Sequence, residues 1–288
     1  MRILVLGGGG QVGRAVAGAA PPRHGVVVKT RADLDIADDQ AVAKVLAETK
    51  IHWIVNAAAY TAVDRAEEER VQAIAVNDTA VGVLAGAALR AGCRLLHLST
   101  DFVFDGRSNR AYLPGDRPNP LSVYGVSKLG GERQVLQSGR RGIVLRTSWV
   151  YAAAGHNFVL TMLRLMRERE QVRVVCDQIG APTWAASAAN AIWGLIEAAA
   201  PDGVYHWTDL GVASWYDFAV AIQDEALARG LLTRAVPIAP ISSAEYPTPA
   251  QRPAFSVLNT ESARALRLAP ALHWRHHLRT MLDELRTA

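Results

Sequence analysis

At 288 residues the chain is long for one minimal domain and short for two large ones, which fits a dinucleotide domain with a smaller lobe beside it. Half of the residues are apolar, a fifth are charged, and the net charge is only +4 with no lysine-rich run, so no nucleic-acid partner is expected. No uninterrupted run of about eighteen apolar residues occurs, so no membrane span is expected either.

The opening, 1–10, reads as a strand and a glycine turn rather than a secretion signal. The two cysteines, Cys93 and Cys176, lack zinc-like spacing and are too few for a disulfide framework, which points to the reducing cytoplasm. A first strand over 2–6 leads to a helix over 11–20, stopped by Pro21 and Pro22, and a second strand covers 26–28. Asp38 caps a helix reaching about residue 50, followed by a strand over 51–55. An alanine-rich helix over 71–91 passes through Gly92 into a strand over 94–98. A helix follows Pro120, and 142–147 is another β-branched strand. Short apolar strands alternating with helices predict an α/β fold, a Rossmann-type doubly wound parallel sheet, over 1–150. Beyond that the pattern loosens. Helices over 157–170 and 185–200 and loops over 177–184 and 237–253 are expected to form a smaller C-terminal substrate lobe, 151–288, partly interleaved with the sheet edge.

Gly7 to Gly13 follows the first strand and opens the first helix, with Gly7, Gly8, Gly10 and Gly13 spaced as dinucleotide-binding turns require. Such a turn brings bare backbone to a pyrophosphate and aims helix-terminal N–H groups at it. An NAD site usually has an acid at the end of the second strand; here Lys29-Thr30-Arg31 offers two bases. A guanidinium grips a 2′-phosphate, so Arg31 favours NADPH, with NADH left open. Asp35 and Ile36 fall where the next loop flanks the adenine.

Tyr124 and Lys128, four residues apart, share one helix face. An ammonium near a phenol stabilises the phenolate and makes proton donation to a carbonyl practical near neutral pH. Ser99-Thr100-Asp101 ends a strand at the edge where open sheets bind ligands, so Thr100 is placed to donate to a substrate carbonyl. Trp149 ends another strand on that edge, and reads either as a wall of the ligand pocket or as core. The histidines His97 and His206 read as strand residues, and His273, His276 and His277 as the polar side of a terminal helix, so no metal site is expected.

Taken together, these stretches resemble the extended short-chain dehydrogenase/reductases, and among them the dTDP-4-dehydrorhamnose reductase branch. The resemblance spans nearly the whole chain. Its carriers include Gly10-Gln11-Val12-Gly13, Leu34-Asp35-Ile36, residues 55–64, 99–106, 120–128, 146–151 and 177–183, Trp215-Tyr216-Asp217 and Arg252-Pro253. The resemblance implies a catalytic triad of Thr100, Tyr124 and Lys128, and cofactor contacts from Gly10, Gln11, Val12, Asp35, Ile36, Ala59, Tyr60, Thr61, Tyr124 and Lys128. It also implies substrate contacts from Thr100, Asp101, Trp149 and Arg252, with Asn77 supporting the lysine through water. The implied reaction is NADPH-dependent reduction of the C4 keto group of dTDP-4-dehydro-β-L-rhamnose, in a monomer or homodimer. Some family members are metal-bridged dimers using acids on the first helix; here Arg14 to Gly18 contains none. Two other readings stay open: a 4-ketoreductase for another dTDP-deoxysugar, and a non-catalytic module like the regulatory subunit of methionine adenosyltransferase.

Overall fold

A computed structural model describes residues 1–137, 142–266 and 271–287. Strand β1 (Arg2–Leu6), helix α1 (Gln11–Gly18), β2 (Gly25–Lys29), α2 (Asp39–Thr49) and β3 (Trp53–Asn56) form the first half of a sheet and its cover. Next come α3 (Arg70–Ile74), a π turn (Ala75–Thr79) and α4 (Ala80–Ala91), then β4 (Arg94–Thr100), α5 (Val123–Leu136) and β5 (Gly142–Thr147). Asp38 caps α2 by accepting from the Ala41 N–H at 3.0 Å, and Gly92 ends α4 in the left-handed conformation, φ +70°. The rest of the chain contributes β6 (Val150–Tyr151), α6 (Phe158–Glu168), β7 (Val172–Val175), β8 (Ile179–Gly180), β9 (Thr183–Trp184) and α7 (Ala185–Glu197). It continues with β10 (Gly203–His206), β11 (Ala213–Ser214), α8 (Trp215–Ala228), β12 (Ile238–Ile241), α9 (Glu261–Arg264) and α10 (Trp274–Thr287).

Six strands make one parallel sheet in the order β10-β5-β4-β3-β1-β2. The fold is α/β with a Rossmann-like sheet. The chain moves outward from β1 to β2, then crosses back to β3, so the order reverses at β1 and β3. Ligands of such sheets sit in the crevice outside the strands' carboxyl ends at that reversal. The interior strands are almost wholly apolar because helices cover both faces: one core cluster joins α1 and α7 to the sheet, another α2 and α4. A third core, with Phe218, Met162 and Leu278, holds α6, α8 and α10 together.

Three expectations need correction. Residues 237–253 are not all loop: β12 pairs in parallel with β7, with Pro240 opposite Val174. A two-stranded ribbon leaves an outer edge where a residue without an N–H is tolerated. Within 177–184, β8 pairs with β11 and β9 with β6. His277 does not face solvent: its Nδ1 lies 2.8 Å from Asp209 Oδ2, and both side chains are buried. Counting uninterrupted apolar residues also misses Arg70–Ala91, which among the described residues is the one helix long and apolar enough to cross a membrane by length and composition. Its Val81, Leu84, Ala85 and Ala88 are buried in the core beneath the sheet.

Candidate active site

Gly7, at φ +75°, turns the chain off β1, and a Cβ there would stand 2.5 Å from the Ala58 nitrogen. The Gly10 N–H donates to Gly7 O at 2.9 Å, and a Cβ on Gly13 would fall 2.2 Å from that same oxygen. Turn, helix and the end of β3 therefore pack backbone against backbone, which glycine alone permits. No side chain caps α1, so the N–H groups of its first turn stay available at the crevice. At the end of β2, Asp33 is turned onto Thr30, accepting from its N–H at 2.8 Å and its hydroxyl at 2.7 Å. Arg31 is exposed, and with Lys29 it lines the crevice rim.

The crevice encloses about 1420 Å³ and runs from these residues past Asp35, Ile36 and Ala57–Thr61 to Thr100, Tyr124 and Lys128. Lysine and tyrosine come from one face of α5, whose start is fixed by Ser122 accepting from the Gly125 N–H at 3.2 Å. Tyr124 is half-buried, and burial, with the Asp101 charge adding to it, pushes its phenol up to about 12; the Thr100 hydroxyl pulls the other way. Thr100 donates to Asp101 Oδ1 at 3.0 Å. Burial raises Asp101 to about 6, against the lowering effect of the neighbouring Ser256 and Thr100 hydroxyls. Lys128 is 3% exposed and held down to about 8 by burial, opposed by the charge of Glu132. Its Nζ donates to Leu98 O at 2.6 Å and lies 3.3 Å from His97 Nε2.

The outer wall is aromatic. Trp149, at φ +47°, stacks on Trp215 with centroids 3.5 Å apart and planes 4° apart. Trp215 donates through Nε1 to Gln178 Oε1 at 3.1 Å, and a Cβ on Gly180 would lie 2.6 Å from the Trp149 ring. Arg252 lines the crevice with its guanidinium on Asp64, through contacts of 3.0 and 2.8 Å.

All the expected site residues but Gly8, Gly13 and Asn77 line this one crevice. Gly13 instead packs beneath the turn, and Asn77 lies behind the wall: it accepts from the Tyr60 N–H at 2.8 Å and donates to Tyr60 O and Ser127 Oγ, each at 3.0 Å. The π turn that carries Asn77 gives no signal in the sequence. Trp215 is among the residues that carry the resemblance without an expected site role, and nothing in the sequence marks His97 or Asn56 as neighbours of the lysine. Isolated strand residues carry no spacing that would mark them.

The family described as RmlD substrate binding domain matches residues 1–287. The chain belongs to this family. As an RmlD family member it is 43% identical over 274 residues to a dTDP-4-dehydrorhamnose reductase of Burkholderia thailandensis, covering 92% of each chain. The solved structure of a dTDP-4-dehydrorhamnose reductase from Clostridium acetobutylicum aligns with a TM-score of 0.93 at 35% identity, covering 99% of this chain and 100% of that one. That from Bacillus anthracis, in complex with NADP, gives 0.92 at 33% identity, covering 98% and 99%.

Proposed function

We propose that this RmlD family chain reduces the C4 keto group of dTDP-4-dehydro-β-L-rhamnose to dTDP-L-rhamnose with NADPH, as a step of nucleotide-sugar biosynthesis. The observation that carries the reading is the convergence of Thr100, Tyr124 and Lys128 on the same crevice as the glycine turn. The glycine cradle fits a dinucleotide: a Cβ at Gly7 or Gly13 would fill the space the turn needs. Gly7, Gly10, Gln11, Val12 and Gly13 would hold the diphosphate, Arg31 the 2′-phosphate, Asp35 and Ile36 the adenosine end, and Ala59, Tyr60 and Thr61 the nicotinamide end. When bound, NADPH supplies the hydride. Thr100 donates a hydrogen bond to the keto oxygen, and Tyr124 delivers the proton to that oxygen as charge develops. Lys128 favours the phenolate left behind and returns a proton to it. Asp101 and Arg252 orient the sugar nucleotide, and the Trp149 face packs against it.

We further assign 1–150 to dinucleotide binding and 151–288 to the substrate lobe. β10 supports interleaving at the sheet edge, where it pairs with β5. The same reading places the protein in the cytoplasm as a monomer or homodimer acting without nucleic acid or membrane. The test is loss of NADPH absorbance on adding the keto-sugar nucleotide, with the product identified by mass and chromatography. A chain that binds NADPH but reduces no dTDP-4-keto sugar refutes the proposal.

A further inference from the structure

Behind Lys128 lies a polar chain that the reaction does not obviously need. Asn56 ends β3, and its Oδ1 accepts from the Ala58 N–H at 3.1 Å. That bond fixes the amide, so the atom presented to His97 Nδ1, also at 3.1 Å, is Nδ2. An amide nitrogen only donates. His97 Nδ1 therefore accepts, and the proton of the neutral ring resides on Nε2. His97 is fully buried, and burial, then the neighbouring Lys128, holds it well below its ordinary range, so the ring is neutral.

Nε2 is the atom 3.3 Å from Lys128 Nζ. Gly131 permits the approach, since a Cβ there would stand 3.1 Å from Nε2 and 2.2 Å from Asn77 O. An ammonium has donors only, so the imidazole N–H finds no acceptor on it; a neutral amine offers one lone pair. Leu98 O meanwhile takes one Nζ proton at 2.6 Å. The chain Ala58–Asn56–His97–Lys128 is thus satisfied throughout only when the lysine has released a proton.

We propose that Asn56 and His97 are positioning residues that make Lys128 a group that gives up and regains its proton at each turnover, rather than a fixed cation. The proposal rests on the assignment of Lys128 to the reduction. The other charged groups around the lysine are few. Glu132, one turn further along α5, favours the ammonium but is paired with Arg146 at 2.6 and 2.8 Å. Asp101 follows β4 beside Tyr124. A lysine held down to about 8 matches a proton-exchanging role, because such groups work best near the operating pH.

The test uses the full chain, whose lysines are only Lys29, Lys44, Lys50 and Lys128, so a ¹³C-lysine titration identifies Lys128 by its loss in Lys128→Arg. ¹⁵N-histidine spectra of the wild type should show His97 neutral with its proton on Nε2; a proton on Nδ1 overturns the proposal. Asn56→Asp provides an acceptor for Nδ1–H and should turn the Nε2 lone pair toward the lysine, although its charge alone also favours the ammonium. His97→Gln adds no charge and presents an amide oxygen. Both should raise the Lys128 titration by about one unit or more, and the alkaline limb of kcat/KM should move with it. An unmoved lysine titration in His97→Gln overturns the positioning role, and a moved titration with an unmoved limb overturns the proton-exchange role. Failure to reduce any keto sugar, with the tautomer and titration results intact, counts against the proposed reaction and not against this network.

Discussion

Trp149→Ala separates a pocket wall from a core residue. At φ +47° alanine bears the Cβ strain that tryptophan bears, so the variant changes chiefly the ring contacts. The ring loses its stack on Trp215 and its edge contact over Gly180. Truncating a fully enclosed tryptophan costs about 3–5 kcal/mol, because a sealed cavity remains. Trp149 is only half-buried and lines the crevice, so the vacated space opens to water. What remains is a stacking loss of about 0.5–1.5 kcal/mol plus partial burial, together roughly 1–2 kcal/mol. At about 2–4 °C per kcal/mol for a chain of this size, the melting temperature should fall by roughly 2–8 °C. NADPH affinity should hold, because Arg31 and the glycine turn lie at the other end of the crevice, while kcat/KM for the sugar nucleotide falls at least about tenfold, the equivalent of 1.4 kcal/mol. Thermal unfolding, NADPH titration and turnover on this one variant decide the matter. A melting temperature lowered by more than about 12 °C, beyond what the partial loss allows, or an unchanged kcat/KM, refutes the reasoning.

Tyr124→Phe removes one hydroxyl and should keep fold and NADPH binding while lowering kcat by about 10²–10⁴-fold, the usual worth of a positioned acid; near-normal turnover would show that another group supplies the proton. Arg31→Ala should raise the KM for NADPH by roughly one to two orders of magnitude, as the loss of a charge-assisted bond of about 1.5–3 kcal/mol requires, and leave NADH nearly untouched; equal losses with both cofactors would remove Arg31 from 2′-phosphate recognition. Arg146→Met strands Glu132, which is 1% exposed and otherwise bonded to Ser99 Oγ. Breaking a buried pair this way costs about 3–5 kcal/mol, to be read from urea unfolding; a loss under about 1 kcal/mol, the range of a surface pair, would mean that the carboxylate is protonated or solvated there.

The parts that sequence made legible share a physical trait: each is a local pattern. Gly7 to Gly13 is one turn, Asp38 one cap, Tyr124 and Lys128 one helical turn, and each appears where its spacing places it. The misreadings depend on distant partners. Proline marked 237–253 as loop because Pro240 breaks strand patterning, yet β7, more than sixty residues earlier, supplies the pairing. His277 looked like a surface histidine on an amphipathic helix until Asp209, from the loop after β10, met it. His97 meets Lys128 31 residues and Asn56 41 residues away in sequence, and no periodicity links them.

The chemistry of the crevice is tuned by burial more than by ion pairing. Asp101 rises to about 6 and Lys128 falls to about 8, and in each case burial is the leading cause. Opposite shifts from a single cause bring an acid and a base toward the same neutral range, which pairing the two would not do, since a salt bridge drives their pKa values apart. A buried pair, Glu132 with Arg146, stands behind Ser99, where it fixes α5 to β5. Neutral partners then do the fine adjustment: Thr100 beside the phenol and Asp101, Leu98 O and His97 beside the lysine. A neutral donor or acceptor shifts a neighbour less than a full charge does, and it leaves both protonation states within reach. Under the proposed reduction that is the condition for a proton donor recharged in every cycle, and it fits a lysine whose direct neighbours are a carbonyl and an imidazole rather than a carboxylate.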